Sequence, residues 1–168
     1  MRRIQLRRER ALRSDVGFRM TLRVFLMAGL AAVVGVAATA ERHAFILSPG
    51  VGPELLKQCS RPTPENVDGF WIPTTEQITE LEALLVPYLK SVPAGRSLRP
   101  LEQYHRQYVG FTTRGKRYIY GSFYAFAIDP KREATEPIIV CDGGSSFWGI
   151  VFSVESKLLT DLAVNGVA

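Results

Sequence analysis

The sequence predicts an α+β fold, one main helix packed on a four- to five-stranded antiparallel sheet, and three observations predict it. Over residues 74–92 the apolar side chains recur at steps of three and four, which gives a helix one buried face. From Tyr104 onward the period changes to two, the signature of strands. Turn-forming runs at Thr113-Arg-Gly-Lys116, Asp142-Gly-Gly-Ser145 and Glu155-Ser-Lys157 divide that half into hairpin-sized pieces.

Residues 41–52 read as a surface lead-in ending in turn residues. Pro53 to Cys59 suits a short helix, with Pro at its first position, Glu54 in the first turn and Lys57 near the end. Pro62, Pro64 and Pro73 then forbid a helix and favour an extended segment lying over the domain, pinned by Phe70, Trp71 and Ile72. Thr74 and Gln77, three apart, match a capping box and open the main helix. Ile78, Leu81, Leu85, Tyr88, Leu89 and Val92 form its apolar face, and Glu76, Glu80 and Glu82 sit where the helix dipole favours negative charge. Pro87 should kink or shorten this helix. Strands are expected at about 104–112, 117–127, 137–141, 147–154 and 158–164, with a polar loop from Asp129 to Pro137. A cystatin-like arrangement, a helix across a curved antiparallel sheet, is the nearest simple analogy.

Residues 20–40, MTLRVFLMAGLAAVVGVAATA, have the make-up of a secretory signal peptide. Arg23 precedes an apolar run of 15 residues, Val24 to Ala38, and Ala38 and Ala40 supply the small-residue pattern for cleavage before Glu41. The run is short for a membrane span, which needs about 20 residues. The Arg-rich residues 1–19 precede a start that Met20 alone would satisfy, so they read as a start-site extension or as a cytoplasmic tail on an uncleaved anchor.

The net charge of +5 comes from this leader. Residues 1–40 hold 8 of the 21 Lys and Arg but 2 of the 16 Asp and Glu, leaving 13 basic and 14 acidic residues in 41–168. A processed domain so balanced has no global field to attract polyanions, so nucleic acid is not an expected partner. Its two cysteines, Cys59 and Cys141, are the only ones, and an even count in an exported chain predicts one disulfide.

Catalytic motifs are absent. His105, Asp142 and Ser145 or Ser146 are the ingredients of a nucleophilic triad, but the surrounding GGSSF lacks the nucleophile-elbow pattern, and turn chemistry explains the glycines. His43 and His105 have no partners at zinc-ligand spacing, and Glu65 and Asp68 do not form a calcium-loop motif. No cofactor is expected. The better candidate is aromatic: along the second strand Tyr118, Tyr120 and Tyr124 share one face with Phe126, while Ile119, Phe123 and Ala125 share the other. Both faces are apolar, and one helix covers only one. Either the tyrosine face is a binding surface, with Arg114, Lys116 and Arg117 at the adjoining hairpin as a cationic rim, or residues 41–73 wrap over it and make it core.

The C-terminal run CDGGSSFWGIVFSVESKLLTDLAVNGVA resembles the tail of small exported bacterial proteins of unknown function. That resemblance implies a fold and no activity. Together these features predict a periplasmic or secreted binding protein, of inhibitor or immunity type, whose partner is another protein. The alternatives are a small hydrolase using His105 and Asp142, and an envelope protein that self-associates.

Overall fold

The computed structural model describes residues 44–167. The signal-peptide reading of residues 20–40, the extension 1–19 and His43 lie outside the described residues. In chain order the elements are β1 (Ala44–Ile46), α1 (Gly52–Leu55), β2 (Gly69–Trp71), α2 (Thr75–Ser91), α3 (Pro93–Arg96), β3 (His105–Thr113), β4 (Lys116–Tyr124), α4 (Pro130–Thr135), β5 (Phe147–Ser153) and β6 (Leu159–Val164). The fold is α+β, with one main helix on an open, mostly antiparallel sheet of six strands.

The antiparallel meander β3-β4-β5-β6 follows from the alternating pattern and its turns. Thr113 pairs with Lys116, so Arg114 and Gly115 alone make the first hairpin turn, both at positive φ (51° and 72°). That is the twist-matched two-residue geometry, for which glycine at the second position carries no steric penalty.

The sheet departs from the sequence expectation in three places. β1 pairs in parallel with Arg106–Tyr108 of β3, and β2 pairs antiparallel with Gly110–Thr112, so the lead-in and the proline-rich segment each donate a short strand to one edge. Residues 137–141, expected as a strand, are not one. Here the Gln107 side chain replaces a ladder: its Oε1 accepts from the Ile138 N–H at 2.8 Å, and its Nε2 donates to the Glu133 and Glu136 carbonyls at 2.7 and 2.6 Å. The loop 129–137 also contains α4, which Asp129 caps by accepting from the Lys131 N–H.

Helix α2 begins at the predicted capping box. Thr74 Oγ1 accepts from the Gln77 N–H and Gln77 Oε1 accepts from the Thr74 N–H. The helix runs past Pro87 to Ser91. Pro87 and Ala83 are both exposed, so the carbonyl deprived of a donor faces water, and the helix does not end there.

The buried Ile78, Leu81, Leu85 and Leu89 of α2 pack on one sheet face, against Tyr104, Tyr108, Ile119, Phe123, Trp148, Ile150 and Phe152. Phe123 and Trp148 stack with ring centroids 3.7 Å apart. A polar clasp fixes the helix on the sheet: Glu82 Oε1 accepts from Arg106 Nη1 and from the Tyr108 hydroxyl, each at 2.8 Å. Burial first, and the Glu82 carboxylate second, push the Tyr108 phenol well above its ordinary range.

Cys59 and Cys141 form the predicted disulfide, with Cα atoms 4.9 Å apart across 82 residues of sequence. Such a bond points to an oxidising, non-cytoplasmic compartment. Among the described residues no helix is long and apolar enough to cross a membrane. Replacing both cysteines by Ser should lower unfolding free energy by on the order of 4 kcal/mol, the chain-entropy value for a loop of this length, measured by urea denaturation of the oxidised protein against the variant.

Candidate functional site

The second face of the sheet carries His105, Gln107, Val109 and Phe111 from β3. Each stands opposite Tyr124, Ser122, Tyr120 or Tyr118 of β4 in register. Residues 47–70 cross much of this face as a strap. Leu47 and Leu55 are fully buried on it, with Val51, Leu56, Val67 and Phe70 packed around Val109, Phe111, Tyr120 and Val151. The wrapping alternative is therefore what this part of the face adopts.

Both ends of the strap are fastened. At one end stand the Cys59–Cys141 bond, a Gly166 N–H to Ser60 carbonyl bond of 3.3 Å, and Arg61. Arg61 is 6% exposed, and its guanidinium donates from Nε to the Tyr120 hydroxyl (3.1 Å), from Nη1 to Asn165 Oδ1 (2.5 Å) and from Nη2 to Ser122 Oγ (2.9 Å). All three acceptors are neutral. The fork shape of the guanidinium lets one side chain tie the strap to β4 and to the residue that follows β6. Tyr120 needs a neighbour without a side chain to reach this cation: a Cβ on Gly149 would lie 2.4 Å from its hydroxyl. At the far end the Asp68 N–H donates to the Thr112 carbonyl (2.8 Å), and Asp68 Oδ2 accepts from the Arg114 N–H (2.6 Å).

Between these anchors the strap stands off the strands and leaves an open groove of about 840 Å³. Phe111, Tyr118, Tyr120 and Val151 line it from the sheet, Pro62, Thr63, Pro64 and Glu65 from the strap, and Thr160 to Ala163 from β6. Phe111 and Tyr118 stack with centroids 5.3 Å apart and an interplanar angle of 20°.

The structure divides the sequence-derived site. Tyr120 and Tyr124 are each 1% exposed, and Tyr118 is half-buried, so the three tyrosines do not form one open face. Tyr124 belongs to a separate cluster with Ile138 and Phe147. The cationic rim is also split. Arg117 projects on the α2 side, its guanidinium 5.4 Å from the Trp71 ring centroid and its Nε 3.5 Å from Glu155. Arg114 is exposed at the turn, and Lys116 alone of the three joins Tyr118 and Tyr120 at the groove. Strict alternation, which puts Lys116 with Tyr118 and Arg117 with Ile119, already carried this information. Sequence reading weighed Glu65 only as a cation ligand and set it aside, and did not single out Glu155 or Asp161. These give the groove three carboxylates against one ammonium, so its rim is acidic rather than cationic.

Asp161 holds a left-handed conformation (φ 53°) where the β5–β6 register shifts. This bulge lets Thr160 and Asp161 both line the groove, although neighbours in a regular strand face opposite ways. Its only signal in the sequence was an Asp, one of the few residues that tolerates that backbone.

The triad ingredients are not assembled. His105 Nδ1 lies 2.8 Å from Glu133 Oε1, and Glu133 is 1% exposed. The Asp142 carbonyl accepts from Asn165 Nδ2, the Ser145 carbonyl accepts from the Tyr104 hydroxyl, and Ser146 Oγ accepts from Arg99 Nη2. Tyr124 sits beside this His–Glu pair, with ring centroids 5.7 Å from His105. Burial first, then the Glu133 carboxylate, raise its phenol far above the usual range. Among the described residues no three His, Cys, Asp or Glu side chains gather as a metal site would require. No family model, curated protein or solved structure matches this chain.

Arg61→Ala would leave Tyr120, Ser122 and Asn165 short of a buried donor. It should lower unfolding free energy by on the order of 3 kcal/mol, with hydrogen exchange rising first in 57–68. Arg61→Lys should restore little, because one ammonium cannot span the three acceptors.

A pH prediction follows from the phenols. Burial raises Tyr108, Tyr120 and Tyr124 in the folded state, so above the ordinary phenol value of about 10 the unfolded chain binds fewer protons than the folded one. Their contribution to stability is intact below that pH and is lost as pH rises beyond it. Absorbance at 295 nm should show these three ionising together with the loss of near-ultraviolet circular dichroism.

Proposed function

We propose that this is an exported protein, periplasmic or secreted, that binds another protein through the groove beneath the strap, as an inhibitor or immunity-type factor does. The observation that carries this reading is Tyr118, left half-buried at the groove where the strap lifts from the sheet, its ring stacked on the buried Phe111. The rest of the second face is sealed by apolar packing, so a tyrosine ring left partly open here fits a surface kept for a partner. The volume falls within the roughly 300–1,000 Å³ range of ligand-binding clefts. Its two walls are held by a disulfide, a buried arginine and main-chain bonds, and such a preformed site loses little entropy on binding. The leader composition and the disulfide support an extracytoplasmic setting.

The test is capture of partners from envelope extract with the oxidised protein as bait, identified by mass spectrometry and then measured by titration calorimetry. A stoichiometric partner is expected, and Tyr118→Ala or Thr160→Trp should weaken its binding about tenfold or more while circular dichroism stays unchanged. Undiminished affinity in both variants would remove the groove from the reading, and an empty capture with folded bait would remove the protein partner.

A further inference from the structure

We infer that the groove receives a Lys or Arg side chain from an extended segment of the partner protein, with its alkyl stem on the Tyr118 ring and its charged end at Glu65 and Asp161. This rests on the binding reading above and adds the chemistry of what is bound.

Charge is the first support. Of the three groove carboxylates, Glu155 is already engaged, by the Arg117 main chain and guanidinium. Glu65 has no hydrogen-bond or ion-pair partner among the described residues, and Asp161 accepts only from the neighbouring Thr160 hydroxyl at 2.9 Å. Some surface acids pair with cations, Glu54 with Lys57, Glu80 with Lys157 and Glu136 with Arg132, and others such as Glu76 and Glu102 are exposed without one among the described residues. What sets Glu65 and Asp161 apart is place: two carboxylates without a cation, one from the strap and one from β6, line the same groove.

The floor is the second support. The half-buried Tyr118 ring, stacked on the buried Phe111, can attract a cation and accept the methylene stem of Lys or Arg by apolar contact. An acidic rim above an aromatic floor fits a long cationic side chain better than it fits a carboxylate or a purely apolar group. The bulge adds direction: it holds Asp161 at the groove, at a backbone conformation unusual for a non-glycine residue.

A polypeptide source fits the remaining surroundings. The groove is larger than one side chain fills, and the Thr63 and Thr160 hydroxyls, which donate to the Leu56 carbonyl and to Asp161, keep lone pairs that suit main-chain N–H groups. The β6 bulge interrupts the edge, so recognition proceeds through the inserted side chain rather than by adding a regular strand.

The experiment uses fluorescein-labelled six-residue peptides with one apolar frame, Ser-Leu-X-Tyr-Ser-Ser, in which X is Arg, Lys, citrulline or Glu. Anisotropy is measured on the oxidised wild-type protein and on an E65Q/D161N double variant, whose exposed sites and tolerated backbone leave the fold intact. The Arg and Lys peptides should bind saturably and about tenfold more tightly than the citrulline peptide, weakening with salt, and the double variant should erase that preference. Equal binding of the Arg and citrulline peptides, retention of the preference in E65Q/D161N, or no binding of any peptide at millimolar concentration would overturn the inference. If the inference falls while a captured partner still depends on Tyr118, the groove remains the binding site and only its ligand chemistry is wrong. If dependence on Tyr118 also fails, the binding reading falls with it.

Discussion

Covering the second face of β3, β4 and β5 is the requirement from which most of this molecule follows. Val109, Phe111, Tyr120 and Val151 cannot be left in water, and α2 is committed to the other face. The chain answers with a strap of irregular backbone, which by itself has little cooperativity. Two fastenings compensate, the Cys59–Cys141 bond and the Arg61 fork. A buried guanidinium with only neutral acceptors keeps much of its desolvation cost, so its value lies in holding three elements in one geometry rather than in net attraction. The groove exists because those fastenings hold the strap at its ends and leave Pro62 to Glu65 standing off the strands.

Register then decides the chemistry of that groove. The two-residue turn at Arg114 and Gly115 locks Thr113 opposite Lys116, and every pair along β3 and β4 follows from it. A slip of one residue would exchange Lys116 for Arg117 at the groove and bring Ile119 where Tyr120 meets Arg61. At the opposite wall the β6 bulge performs such a slip locally and on purpose, bringing Asp161 beside Thr160. The acidic character of the site is thus a product of strand geometry.

The other end of the same face is closed by different means. Gln107 takes the place of a strand, binding 133–138 through its amide, while Glu133 on α4 meets His105 at 2.8 Å. Gln107 and the His105–Glu133 pair find their partners within the fold there, which leaves the two ends of the face with contrasting roles. One is packed and paired. The other keeps an aromatic floor and carboxylates without cations.

The periodicity of 74–92, the capping box, the meander from Tyr104 onward and the single disulfide were all legible in the chain, because each depends on spacing between near neighbours or on a pair with no competitor. So was the division of β4 into two apolar faces, and with it the need for a cover. The parallel pairing of β1, the edge position of β2 and the loss of the 137–141 strand were not, since short segments without periodicity take whichever partner the assembled core leaves unpaired. The same holds for the site. Tyr118 was visible as a candidate, but Tyr120 and Tyr124 became core through contacts with residues far away in sequence, and Glu65 and Asp161 meet at one groove only after the strap is fastened. Local pattern determined which side chains share a face. Which of them stay open to a partner was decided by long-range packing, whose energy no single stretch of sequence contains.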